Sequence, residues 1–299
     1  MLGKVNVMEL NRSPGLALTM FLALSLATRL LWAHSVDGPV NLAGEWRTMN
    51  HEDIGDAAVP GDYMGMPIND EARARADAWS ASTQSLPERQ CIMYTSFYTV
   101  LGPAPLRIAI DYDPISGKEV SVRMTGFIDR TPRTIWLDGR PHPSKYARHT
   151  AAGFSTGVWQ GDTLVVNTTH LTETLVGRTG VPASDQATVT EYITRHGDTL
   201  RITMFLHDPV YFDGPYVRSR AWVLDPTIRT IPEPCEPVSE NDRPPGEVPH
   251  YLPGTNPFIK EASEKSGIPL EAVRGGVNTT FPEYAKALKT VRGPARAKN

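Results

Sequence analysis

From residue 105 onward the chain alternates apolar and polar positions, punctuated by tight turns. Leu106, Ile108, Ile110 and Tyr112 share one face of a strand, Asp113-Pro114-Ile115-Ser116-Gly117 reads as a turn, and Val120, Val122 and Met124 share one face of the return strand. Residues 133–137 form a short strand ending at Asp138-Gly139. Residues 154–159 lead into a Gln160-Gly161-Asp162 turn and return over 163–170; residues 187–195 lead into His196-Gly197-Asp198 and return over 200–207; residues 216–224 are the last clear strand. Strand, turn, strand at this spacing predicts a meander of hairpins. A further strand around Gly44-Glu45-Trp46-Arg47 brings the count to eight or nine. A sheet of that size tends to close, because closure removes exposed edges. The expected fold is mainly β: an antiparallel up-and-down barrel over residues 36–258, with a short N-terminal helix and a proline-rich C-terminal arm.

The helix is expected over 70–82, with Asn69 as N-cap and Asp70 and Glu71 in its first turn, after a Gly-, Pro- and Asp-rich loop. The arm, residues 230–257, carries eight prolines, which cannot donate to a strand ladder. Residues 259–299 read as a short helical tail, best defined over 282–291. At the other end, Lys4 and Arg12 precede an apolar stretch at residues 16–24, and Ser25-Leu26-Ala27 fits a signal-peptide cleavage site. A second candidate site follows Ala33. Residues 1–27 are thus expected to direct export to the periplasm or beyond, with no stable membrane insertion after cleavage; Arg29 interrupts the apolar run short of the roughly 20 residues a span needs.

A net charge of −3 without a basic stripe excludes nucleic acid as an expected partner. The only two cysteines, Cys91 and Cys235, lie 144 positions apart and suit a disulfide in an oxidising compartment; two free buried thiols are the alternative. A loop that long carries an upper stabilisation of about 5 kcal/mol.

The alternation also assigns inner faces. Leu164 and Val166 put Thr168 and His170 on the same face, while Val189 and Ile193 put Glu191 between them and Arg195 beyond. A buried carboxylate must be paired, protonated or hydrated. Glu191 and His170 therefore read as acid–base groups in an apolar interior, as polar anchors for a ligand there or, for Glu191, as a structural pair with Arg195. A loop holds Asp138, Arg140 and His142, with His149 nearby: Arg140 suits a carboxylate, unless it pairs with Asp138, and His142 titrates near neutrality. Asp208 and Arg218 are candidates to line the same barrel mouth. His51-Glu52-Asp53 lacks metal-site spacing, and Gly153-Phe154-Ser155-Thr156-Gly157 has the letters of a nucleophile elbow in the wrong strand context. No cofactor is indicated.

The hairpin Gly157-Val158-Trp159-Gln160-Gly161-Asp162-Thr163-Leu164-Val165-Val166 resembles that of a family of uncharacterised secreted bacterial proteins, in which it follows a D-G-R segment, here Asp138 onward, and precedes a T-E-x-x-x-R strand, here residues 190–195, and a D-P turn, here Asp208-Pro209. The likeness spans roughly residues 43–258 and implies no activity. Gly44-Glu45-Trp46 is similar to the G-x-W of lipocalins and other calycin-type barrels. That resemblance implies a cup for a small apolar ligand, with Arg218 or Arg220 covering Trp46.

Three functions follow. The first is an exported, lipocalin-like barrel that binds a small hydrophobic molecule in its lumen. The second is a cofactor-independent lyase, isomerase or hydratase using Glu191, His170 or His142. The third is an envelope structural or interaction protein with a filled core. A hollow or packed interior separates the third from the others.

Overall fold

The computed structural model describes residues 40–49, 61, 63, 65–92, 94–102, 104–126, 132–230, 235–239, 243–244 and 246–288. The expected signal peptide and the His51-Glu52-Asp53 cluster lie outside these. Nine strands close into a barrel: β1 (Gly44–Thr48), β2 (Leu106–Tyr112), β3 (Glu119–Gly126), β4 (Arg133–Trp136), β5 (Phe154–Gln160), β6 (Thr163–Thr169), β9 (Thr188–His196), β10 (Thr199–His207) and β11 (Tyr216–Leu224). They follow one another around the ring in chain order, and β11 pairs with β1. A two-stranded ribbon of β7 (Thr174–Leu175) and β8 (Pro182–Ala183) is inserted between β6 and β9. Every barrel pair is antiparallel except β4 and β5, which run parallel through Ile135↔Ser155 and Trp136↔Thr156. A closed ring of nine cannot alternate direction throughout. The one parallel pair is where the meander departs from a pure up-and-down plan, and residues 137–153 make the crossover.

Inside, the predicted rows meet. Trp46, Ile135, Leu164, Val166, Ile193, Leu200, Ile202, Met204 and Trp222 are all wholly buried. The register explains the hairpin signature physically. Gly157 faces inward, and a Cβ there would stand 2.9 Å from both Ile135 Cγ2 and Leu137 Cδ2. Gly161 makes the turn at φ +60°, and Trp159 Nε1 donates to Glu119 Oε2 at 3.1 Å. Those positions serve packing and turn geometry.

The early helix is shorter than expected. α1 (Asp70–Ala78) is capped by Asn69, which accepts from Ala72 N, but Trp79 turns extended. Trp79 pairs with His250 of the arm, and its side chain covers Gly180 so closely that a Cβ there would clash with it. These tertiary contacts override the helical propensity of the residues that follow. Next come α2 (Pro87–Gln90) and α3 (Tyr98–Leu101). α3 packs against β10 and β11, and Arg220 and Trp222 reach the carbonyls of Leu101 and Ala104. The tail holds α4 (Glu261–Ser266), α5 (Leu270–Val273) and α6 (Pro282–Leu288).

Cys91 and Cys235 form a disulfide, with Cα atoms 5.7 Å apart. It fastens the proline-rich arm beside α2. Gln90 seals the junction, its Nε2 donating to Val238 O at 2.8 Å and its Oε1 accepting from Val238 N at 2.7 Å. Such a bond fits an oxidising, non-cytoplasmic compartment. Among the described residues no helix is long and apolar enough to cross a membrane.

Candidate functional site

Glu191 sits where the alternation of β9 puts it, on the inner wall and wholly buried. Its partner is Arg133, at the start of β4, and not Arg195. Arg133 Nη1 donates to Glu191 Oε2 at 2.7 Å and Nη2 to Oε1 at 2.9 Å, so the pair is bidentate. Arg133 Nη2 also contacts Met124 Sδ at 3.4 Å. Both groups are enclosed, so removing either one leaves the other buried without its partner. Close by, Ser155 and Thr168 bond across β5 and β6 at 2.8 Å, which makes the serine of the G-x-S-x-G letters a buried strand residue.

Arg195 covers Trp46 instead of Arg218 or Arg220, with its guanidinium carbon 5.2 Å from the ring centroid. The register accounts for this: Arg195 pairs with Leu200, Leu200 with Trp222, and Trp46 with Leu224, so Arg195 lies at the Trp46 end of the barrel. It also donates to Gly197 O and Asn41 O. Arg218 and Arg220 share the inner row of β11. Burial, and secondarily the charge of Arg218, lowers the pKa of Arg220. Asp208 is wholly buried and saturated: it accepts from Ser184 N and Oγ, Val210 N and Tyr211 N, tying the β10–β11 turn to the ribbon.

His170 leaves the inner face. Its φ of +58° breaks the alternation after Thr169 and turns the ring to the outer side. There it joins His142 in a chain of hydrogen bonds. His170 Nε2 lies 2.9 Å from Ser144 O, which can only accept, so that nitrogen carries a proton. In the neutral ring, Nδ1 then accepts from Thr169 Oγ1 at 2.7 Å. Thr169 in turn accepts from His142 Nδ1 at 2.7 Å, and Thr156 donates to His142 Nε2 at 2.8 Å. His149 donates to Leu171 O at 3.0 Å and stacks at a tilt on His170. Arg140 grips Asp138 through Nε and Nη2 and lies over the Trp136 ring, 3.6 Å from its centroid. This crossover is therefore stitched to the outer wall of β5 and β6. Among the described residues no group of three or more His, Cys, Asp or Glu is placed to hold a metal ion.

Burial, and secondarily the nearby His170, lowers the pKa of His142. A histidine whose folded value is depressed contributes stability that is full above the ordinary value near 6.5 and is lost as pH falls through the lower folded value. Acidification from pH 7 to 5 is expected to lower the thermal midpoint, and His142→Gln to flatten that slope. Equal slopes in both proteins would show that His142 does not carry the effect.

Sequence reasoning misses Arg133 and the two threonines that fix His142. Arg133 was detectable: it is two positions before Ile135, hence on the same face. Comparison of the chain with protein-family models, curated proteins and solved structures finds no match.

Proposed function

We propose that the protein is an exported interaction protein of the cell envelope, a solid barrel that works from its outer surface. The observation that carries this reading is the complete burial of the central inward side chains. A lumen with room for a ligand would leave part of its lining reachable by water, whereas Trp46, Trp222, Ile193, Met204 and their neighbours have no reachable surface. This speaks against a lipocalin-like carrier of a small hydrophobic molecule. The hydrogen bonding speaks against acid–base catalysis as well: Glu191 is held bidentately, and both ring nitrogens of His142 and of His170 are engaged. The disulfide and the N-terminal signal-like sequence support export.

The outward rows of β6, β9, β10 and β11 supply the surface. They read Thr163, Val165, Asn167 and Thr169; Thr188, Thr190, Tyr192, Thr194 and His196; Thr199, Arg201, Thr203, Phe205 and His207; then Val217, Ser219, Ala221 and Val223. Arg201 is the only Arg, Lys, Asp or Glu among them. Tyr192, Phe205 and Val217 are exposed, and the first two pack edge to face. Four strands of this length span roughly 30 by 20 Å, so two copies face to face would bury at most about 1,200 Å² across this convex wall, the lower bound for a specific interface. A wall with a single Arg and no Lys, Asp or Glu meets its own copy with little like-charge repulsion, so the partner is a second copy of this chain, joined across a twofold axis.

Sedimentation of the purified protein is expected to show a concentration-dependent dimer that Tyr192→Lys with Phe205→Lys abolishes. A wild-type monomer at all concentrations overturns the interface. Saturable, competitively displaced binding of a fluorescent fatty-acid analogue would instead restore the carrier reading.

A further inference from the structure

A different wall of the barrel carries a polar groove of about 470 Å³, lined by Arg107, Ala109, Arg123, Thr125, Thr134 and Thr230, with Pro132 and Arg133 at one side. Its construction follows from strand register. Arg107 pairs with Thr125, Ala109 with Arg123, and Arg123 with Thr134. Ala109 is the short side chain among long ones, so the wall is hollow there with guanidinium groups on its banks. Thr230 arrives from the segment after β11, positioned by its backbone N–H, which donates to Glu45 Oε2 at 3.1 Å. Thr230 is 2% exposed, and its Oγ1 has no hydrogen-bond partner among the described residues. A buried hydroxyl without a partner is uncommon and marks a place where a polar atom is missing.

Among the described residues the lining is rich in donors and contains no carboxylate. The acids that hold the two arginines approach from outside it. Asp111 takes Nε and Nη2 of Arg123, and Glu45 lies 3.5 Å from Nε of Arg107. A guanidinium has five N–H donors. These contacts leave donors to spare on both arginines among the described residues, and both side chains are more than half exposed. Exposed ion pairs of this kind are weak and exchange readily for another anion. The volume is in the range of small-molecule sites, about 300–1,000 Å³.

We propose that this groove binds a small molecule through an oxyanion, a carboxylate or a phosphate, held by Arg107 and Arg123, with the Thr230 hydroxyl as an additional donor. The site is independent of the β6–β11 wall and of any self-association there.

The test is calorimetric titration of the purified protein at low ionic strength with inorganic phosphate, with D-glucuronate and with D-glucose. Saturable binding of phosphate or of D-glucuronate, and none of D-glucose, is expected; which anion binds assigns the source of the oxyanion. Arg107→Gln is expected to weaken that binding at least tenfold. Thr230→Val is expected to weaken it several-fold while leaving the thermal midpoint unchanged or higher, since it removes a hydroxyl that bonds nothing in the free protein. The proposal is overturned if neither anion binds saturably, if D-glucose binds equally, or if neither substitution changes the affinity.

Discussion

Replacing Glu191 by Gln is expected to destabilise the protein by about 3–5 kcal/mol, because it leaves the Arg133 guanidinium charged and uncompensated inside the barrel. For a domain of this size that corresponds to a fall in thermal midpoint on the order of 10 °C. Arg133→Met should cost a similar amount by orphaning the carboxylate. The double change Arg133→Met with Glu191→Leu removes both ions together and is expected to recover most of the loss, since well-packed apolar groups can replace a buried pair at little cost. Thermal unfolding of wild type, Arg133→Met, Glu191→Leu and the double variant forms a double-mutant cycle that measures the coupling directly. A Glu191→Gln protein as stable as wild type would mean that the carboxylate is not committed to Arg133 and is free for other work.

The second large effect is expected from the disulfide. Cys91→Ser with Cys235→Ser should cost about 2–5 kcal/mol, the upper end reflecting the long loop between the two positions. The reciprocal bonds between Gln90 and Val238 remain in that variant but hold the arm only locally. Chemical denaturation with and without reductant measures the difference. A loss below about 0.5 kcal/mol would show that the arm is held by its other contacts, such as the Trp79–His250 bridge.

What the sequence made legible follows from the physics of alternation. The hairpins β5–β6 and β9–β10 have strict period two and turn residues at the right places, so their faces and the inward position of Glu191 could be read directly; β2–β3 follows it only as far as the register shift at Asp111 and Tyr112, which leaves Tyr112 exposed. The cysteine pair was legible because there was only one way to join it. Partners across the barrel were not legible. Arg133 and Glu191 are 58 positions apart and meet because the curvature of the barrel brings β4 and β9, separated by β5 and β6, within reach across its interior. Arg195 looked like the natural partner by proximity along the strand, but the direction of β9 carries it to the Trp46 end. His170 departs from the alternation because a single left-handed residue ends the strand there, a conformation that histidine adopts more often than most residues but still uncommonly. The Thr230 groove was hidden for a related reason: it joins β2, β3 and β4 to a segment more than 90 residues later, which no local pattern connects.

The central claim is that the barrel is closed and filled. Xenon enters dry apolar cavities large enough to hold it and is seen there directly by crystallography. A crystal of the protein under xenon pressure is expected to show no xenon among Trp46, Trp222, Ile193 and Met204, the side chains that occupy the lumen. Ordered xenon in that space would contradict the account and return the barrel to the class of hollow binding proteins.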